Sequence, residues 1–233
     1  MTVLLVLCMI VLFLTADYFV QRSRRARVAE QLQPMFAGTT EIPSNIRLAG
    51  NHTWIKHDKH GNILIGLDEL LGKIVGPIEE IILPAIDATV TPATRNIALR
   101  HGGKRLEVAV PVSGQVIEVN RHAMSQPGVA RRDPYGDGWL LKIRPKDGVV
   151  NSHATFGGER ARQWLEEQSE SVKEFFMLHM PQPAFATSQD GGTPVEGLLH
   201  QFDTEVWREF QESYATLSDS RRTPEKAETE VKR

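Results

Sequence analysis

The sequence predicts a mainly β domain behind a single N-terminal membrane helix, followed by two amphipathic helices. Three observations predict it. Residues 3–20 form an apolar run with one charge. Residues 51–150 consist of short Ile- and Val-rich runs separated by turn clusters. Beyond residue 158, apolar side chains recur every three or four positions instead.

The first element is the anchor. Val3 to Leu14 reads VLLVLCMIVLFL, and TADYFV continues it to Val20 with Asp17 as the sole charge. Such a helix would be about 27 Å long at 1.5 Å per residue, close to a hydrocarbon core of about 30 Å. Tyr18 and Phe19 would sit among the headgroups. A cleaved signal peptide would need basic residues before the run and a small-residue cleavage site after it. The following DYFVQRSRRAR supplies no such site. Arg22, Arg24, Arg25 and Arg27 then place the residues after the span in the cytoplasm by the positive-inside tendency. The expectation is a single-pass protein of the inner or plasma membrane, with residues 1–28 as anchor and basic juxtamembrane segment.

Residues 29–50, with Pro34, Gly38 and Pro43, read as a linker. The β domain follows over 51–150. Residues 151–180 read as a helix whose stripe is Ala161, Trp164, Leu165, Val172, Phe175, Phe176 and Met177. Residues 181–194, PQPAFATSQDGGTP, read as a second linker. Val195, Leu199, Phe202, Val206, Phe210, Tyr214 and Leu217 give an amphipathic helix over 195–217. The mixed-charge tail 218–233 has no apolar pattern and reads as disordered. The two helical stripes must be buried, either within the chain or against an unknown protein partner.

Composition narrows the function. Lys plus Arg is 27 against 29 Asp plus Glu, which excludes a generally basic nucleic-acid binder. A single cysteine, Cys8, excludes a disulfide framework and a CxxC site. No nucleophile elbow, P-loop or dinucleotide-binding glycine pattern is present, so no catalytic residue is assigned. His57, Asp58 and His60 share a turn with His52 nearby, but no further ligand joins them and no metal site is expected. His101 and His122 read as isolated surface histidines, and Glu79-Glu80 as a solvated strand edge.

The most specific structural signal lies between residues 97 and 119. Leu106, Val108, Val110 and Val112 alternate with Glu107 and Ala109, as in a strand. Gly102-Gly103 divides this strand from Ile97-Ala98-Leu99-Arg100, and a glycine pair in that place signals a two-residue hairpin turn. Pro111-Val112-Ser113-Gly114 turns the chain into the next strand.

A strand, a tight turn beside a lysine, a strand and a Pro-Val-Ser-Gly turn resemble the lipoyl and biotinyl domains. Asn51-His52-Thr53-Trp54-Ile55, the GNILIGLDELLGKIV run from Gly61 to Val75, and DPYGDGWLLKI from Asp133 to Ile143 narrow the resemblance to the glycine cleavage system H protein. The resemblance implies a flattened barrel-sandwich of two small antiparallel sheets, with a lipoylated lysine at a hairpin tip. It also shows a departure. The family lysine lies eight residues before the proline of its Pro-Val-Ser-Gly turn, and that position here is Gly103, with Lys104 one place later. The family glutamate three residues before its lysine corresponds to Arg100, so the tip is basic. The expectation is therefore a non-catalytic interaction or assembly module without a cofactor. In the alternative, Lys104 carries the lipoyl arm and the chain shuttles an aminomethyl, one-carbon or redox group between enzymes.

Overall fold

The computed structural model describes residues 41–146, 155–179 and 197–217, together with part of a helix between residues 9 and 20. Half of the span 3–20, the arginines after it, the linker 181–194 and the tail 218–233 lie outside the described residues. Among the described residues no helix is long and apolar enough to cross a membrane. The chain divides into two units, one made of residues 40–166 and 196–233, the other of residues 1–39 and 167–195.

The first unit is a mainly β sandwich of two antiparallel sheets. One has seven strands in the order β10-β1-β2-β3-β9-β8-β5 and the other three in the order β4-β6-β7. The seven-stranded sheet contains β1 (Ile46–Ala49), β2 (Thr53–His57), β3 (Ile63–Leu67), β5 (Thr89–Val90), β8 (Gly114–Val119), β9 (Leu141–Pro145) and β10 (Thr155–Gly157). The smaller sheet contains β4 (Glu80–Ile82), β6 (Arg95–His101) and β7 (Lys104–Ala109). Strand alternation explains the core. Ile63, Ile65 and Leu67 of β3 are buried while Leu64 between them is half-buried. Leu99 of β6 faces Leu106 of β7 across the smaller sheet, and both are buried.

Two strands fall outside the segments read as strand in the sequence. β1 lies in the stretch read as linker, and pairs with β2 on one side and β10 on the other. β10 lies in the stretch read as helix, which begins only at Glu159 with α4 (Glu159–His179). Both strands are short and carry too few alternations to show a period of two. The 195–217 stretch is also broken. It forms a 3-10 turn (Leu198–Gln201), a step at Phe202-Asp203, and α5 (Thr204–Tyr214) capped by the Asp203 carboxylate.

Gly66 on β3 is paired with Trp54 on β2, and the indole covers it. A Cβ at Gly66 would lie 2.6 Å from the ring, closer than any contact that packing allows. Gly66→Ala should therefore lower the stability of the domain by about 1–3 kcal/mol, read from its urea midpoint. An unchanged midpoint would show that the indole moves aside.

α1 (Glu69–Val75), followed in the chain by the short helices α2 (Arg121–Ser125) and α3 (Val129–Arg132), starts at Asp68, whose carboxylate accepts the Leu71 N–H at 2.9 Å. The same carboxylate binds His52 Nδ1 at 2.7 Å, and both side chains are fully buried. Trp164 of α4 lies 5.1 Å from the His52 ring and stacks on Phe156 of β10 at 5.2 Å. This pair ties β2, α1 and the start of α4 together. The DPYGDGW run makes a tight loop before β9. Asp133 Oδ2 accepts the Asp137 N–H at 2.7 Å, and Asn120 Nδ2 donates to the carbonyls of Asp137 and Trp139. Tyr135 is pressed toward Trp54, with ring centroids 6.3 Å apart. Burial, aided by the charges of Asp68 and Glu69, pushes its phenol well above the ordinary tyrosine range.

Candidate functional site

The hairpin β6–β7 is built as the glycine pair suggests. His101 faces Lys104 across the strands, and Gly102 and Gly103 form the two-residue turn with φ of +55° and +76°. Side chains rarely adopt that backbone hand, so glycine is required at both places. Lys104 is consequently the first strand residue after the tip and not a tip residue. A cross-strand ion pair between Arg100 and Glu80 at 2.8 Å ties β6 to β4. Glu79 Oε2 accepts the Gly102 N–H at 3.2 Å. The two glutamates thus brace the hairpin.

The hairpin is covered by residues 197–217. The Gly197 N–H donates to the Lys73 carbonyl at the end of α1, which starts the segment across the sheet. Leu199, Phe202, Trp207, Phe210 and Tyr214 are buried there. The Trp207 indole N–H donates to the Leu199 carbonyl at 2.6 Å, closing the 3-10 turn onto α5. The far end seals β7, the last strand of its sheet. Gln211 Oε1 accepts the Glu107 N–H at 2.6 Å, the Ala215 carbonyl accepts the Ala109 N–H at 3.3 Å, and Asn51 Nδ2 donates to the Ala109 carbonyl at 2.7 Å.

Lys104 lies under this cover. Its ammonium donates to the His200 carbonyl at 3.1 Å and to the Phe202 carbonyl, and stands 5.6 Å from the centre of the Trp207 ring. Those three contacts satisfy a cation in a half-buried place. His101 is not isolated. Its ring lies 3.6 Å from that of His200, and Glu79 Oε1 is 3.5 Å from its Nδ1. Burial, and then the neighbouring His101 and Lys104 charges, hold His200 below the usual histidine range. The Lys104 contacts could not be read locally, because their partners are almost a hundred residues away in the chain.

The other histidines separate. His57 and His60 are exposed, and Asp58 accepts the N–H groups of His60 and Asn62 to shape the β2–β3 turn. His52, by contrast, faces inward onto Asp68. His122 is exposed, as the sequence suggests. Among the described residues, His52 and Asp68 form a buried ionisable couple that no local sequence pattern indicates.

A sandwich of two antiparallel sheets with a lysine directly after a two-residue hairpin turn has the form of a carrier-type domain. Residues 46–168 match the family model of the glycine cleavage H-protein, and the chain belongs to that family. It is 33% identical over 109 residues to the glycine cleavage system H protein of Pseudoalteromonas atlantica, covering 46% of this chain and 84% of that one. It is 31% identical over 108 residues to the glycine cleavage system H protein of Marinobacter nauticus, covering 46% of this chain and 83% of that one. A crystal structure of a glycine cleavage system H protein from Mycobacterium marinum aligns with a TM-score of 0.46 at 24% identity, over 55% of this chain and 99% of that one. Glycine cleavage H proteins are non-catalytic carriers, in line with the absence of a catalytic constellation in the sequence.

The family membership corrects the expectation of no cofactor, since its members typically carry a lipoyl group attached covalently to a lysine. The fit of that group can be judged on Lys104 itself. With its ammonium bound to two carbonyls beneath Trp207, Lys104 does not fit an extended arm in this conformation.

Proposed function

We propose that the chain is a membrane-tethered carrier of the H-protein family. Residues 3–20 hold it in the inner or plasma membrane, the β domain lies in the cytoplasm, and Lys104 is the attachment lysine in place of position 103 at the hairpin tip. One observation carries this reading: Lys104 is the lysine of the β6–β7 hairpin and directly follows its turn, in a family whose members carry their group on a lysine. The anchor confines the domain to partners at the membrane surface, so its exchange partner would be an enzyme of glycine cleavage or a related transfer step that works there.

The test is mass spectrometry on protein purified from its own membranes. Cleavage after glutamate gives a peptide from Ile81 to Glu107 containing Lys104. The expected result is recovery in the membrane fraction with one lipoyl group amide-linked to Lys104 Nζ. An unmodified peptide from cells whose other lipoyl proteins are loaded would overturn the carrier reading. Recovery in the soluble fraction would overturn the tether.

A further inference from the structure

The covered state of Lys104 disagrees with a carrier role unless the cover can lift. The covering segment is joined to the hairpin through a pair of histidine rings, one on each side. His101 belongs to β6 and His200 to the 3-10 turn, and their rings are 3.6 Å apart. Every charged group facing His200 bears on what protonation does there. The hairpin presents His101 and Lys104, the turn before β4 presents Glu79, α1 presents the Val75 carbonyl, and α5 presents the Trp207 ring at 5.5 Å. Two cationic or cationisable neighbours thus confront His200, against one carboxylate that already lies beside His101 and accepts the Gly102 N–H. His200 Nε2 is moreover buried without a hydrogen-bond partner among the described residues. A proton on Nε2 gains no acceptor among the described residues and lies near the Lys104 ammonium.

We propose that residues 197–217 are a releasable cover of the β6–β7 hairpin, opened when His200, tilted against the His101 ring, takes up a proton, and that opening frees Lys104 and the edge of β7. The opening is independent of lipoylation. What Lys104 then carries rests on the carrier reading above.

The sign follows from the geometry. In the closed state the charged form of His200 is disfavoured by burial and by His101 and Lys104, so its ordinary affinity for protons returns only on opening. The closed state is favoured while the pH stays above the free histidine value of about 6.5, and loses ground as the pH falls below it. One such histidine changes the open-to-closed ratio by at most tenfold per pH unit, or roughly thirtyfold between about pH 7.5 and about pH 5.

The test is hydrogen exchange by mass spectrometry on the full chain in lipid nanodiscs, at about pH 7.5 and about pH 5, corrected for intrinsic exchange rates. The expected result is a loss of protection over residues 198–215 of roughly ten- to thirtyfold at the lower pH, with the amides of β1 to β3 unchanged. His200→Phe keeps an aromatic ring against His101 and should abolish the pH dependence. His101→Gln, a second variant that removes the ring facing His200, should reduce it. Equal protection of the segment at both pH values would overturn the proposal. So would loss of protection in the segment and in β1 to β3 together, which would make the segment part of one cooperative core. An unmodified Lys104 with a pH-dependent cover overturns the carrier reading alone, and a lipoylated Lys104 with a pH-independent cover overturns this proposal alone.

Discussion

Asp68→Ala is expected to remove about 3 kcal/mol from the stability of the β domain. The carboxylate has two tasks: one oxygen accepts the Leu71 N–H as the cap of α1, and the other holds His52 Nδ1 at 2.7 Å. Loss of a side-chain cap costs about 1 kcal/mol. Leaving a fully buried imidazole nitrogen without a partner costs about 1–3 kcal/mol more. His52 also has φ of +59°, a conformation that an ordinary side chain holds only where its surroundings fix it. Asp68→Asn retains one carbonyl oxygen and can serve only one of the two partners as an acceptor, so it should fall between the wild type and the alanine variant. Urea unfolding followed by circular dichroism measures all three. A loss below about 1 kcal/mol for Asp68→Ala would show that water or another group replaces the carboxylate.

Trp207→Ala is expected to have an effect of similar size but confined to one place. The indole is buried, donates to the Leu199 carbonyl and faces the Lys104 ammonium. Truncation of a buried tryptophan costs about 3–5 kcal/mol, and the cation–π contact contributes about 0.5–2 kcal/mol of that loss. The segment 197–217 meets the rest of the unit mainly through α1, the hairpin and β7, and at its far end Tyr214 lies 6.2 Å from the His52 ring. Its amides should therefore exchange fast in the variant while those of β2 and β3 stay protected. Uniform loss of protection would mean that the indole supports the whole sandwich. A midpoint equal to that of the wild type, with the segment still protected, would place the anchoring energy in Phe202, Phe210 and Tyr214 instead.

Much of this molecule was legible in its sequence, for identifiable reasons. The Gly102-Gly103 pair announced a two-residue turn because both positions need positive φ, and the chain turns there. The alternation of Leu106, Val108 and Val110 announced β7, and the helical stripe announced α5. β1 was hidden because Ile46–Ala49 is only four residues and follows a proline- and threonine-rich stretch that resembles a linker. The break at Phe202-Asp203 was hidden because the apolar spacing runs through it unchanged, although Asp203 is itself a favoured cap residue. The site was the least legible part. His101 looked solitary because His200 comes ninety-nine residues later, and the partners of Lys104 are backbone carbonyls, which no sequence pattern reveals. The His52–Asp68 pair spans sixteen residues and two elements, so neither helical nor strand spacing brings its members together.

The bonds that close β7 have a consequence for how the chain keeps to itself. Gln211, Ala215 and Asn51 occupy donors and acceptors that an outermost strand would otherwise offer to any extended peptide. A chain ending before residue 197 would keep only the Asn51 contact on that row and would be prone to pair with a second copy of itself. The C-terminal segment is thus a guard against self-association as well as a cover over a lysine. Whatever displaces it for long has to offer β7 another partner, and a strand or loop of an incoming protein is the natural replacement.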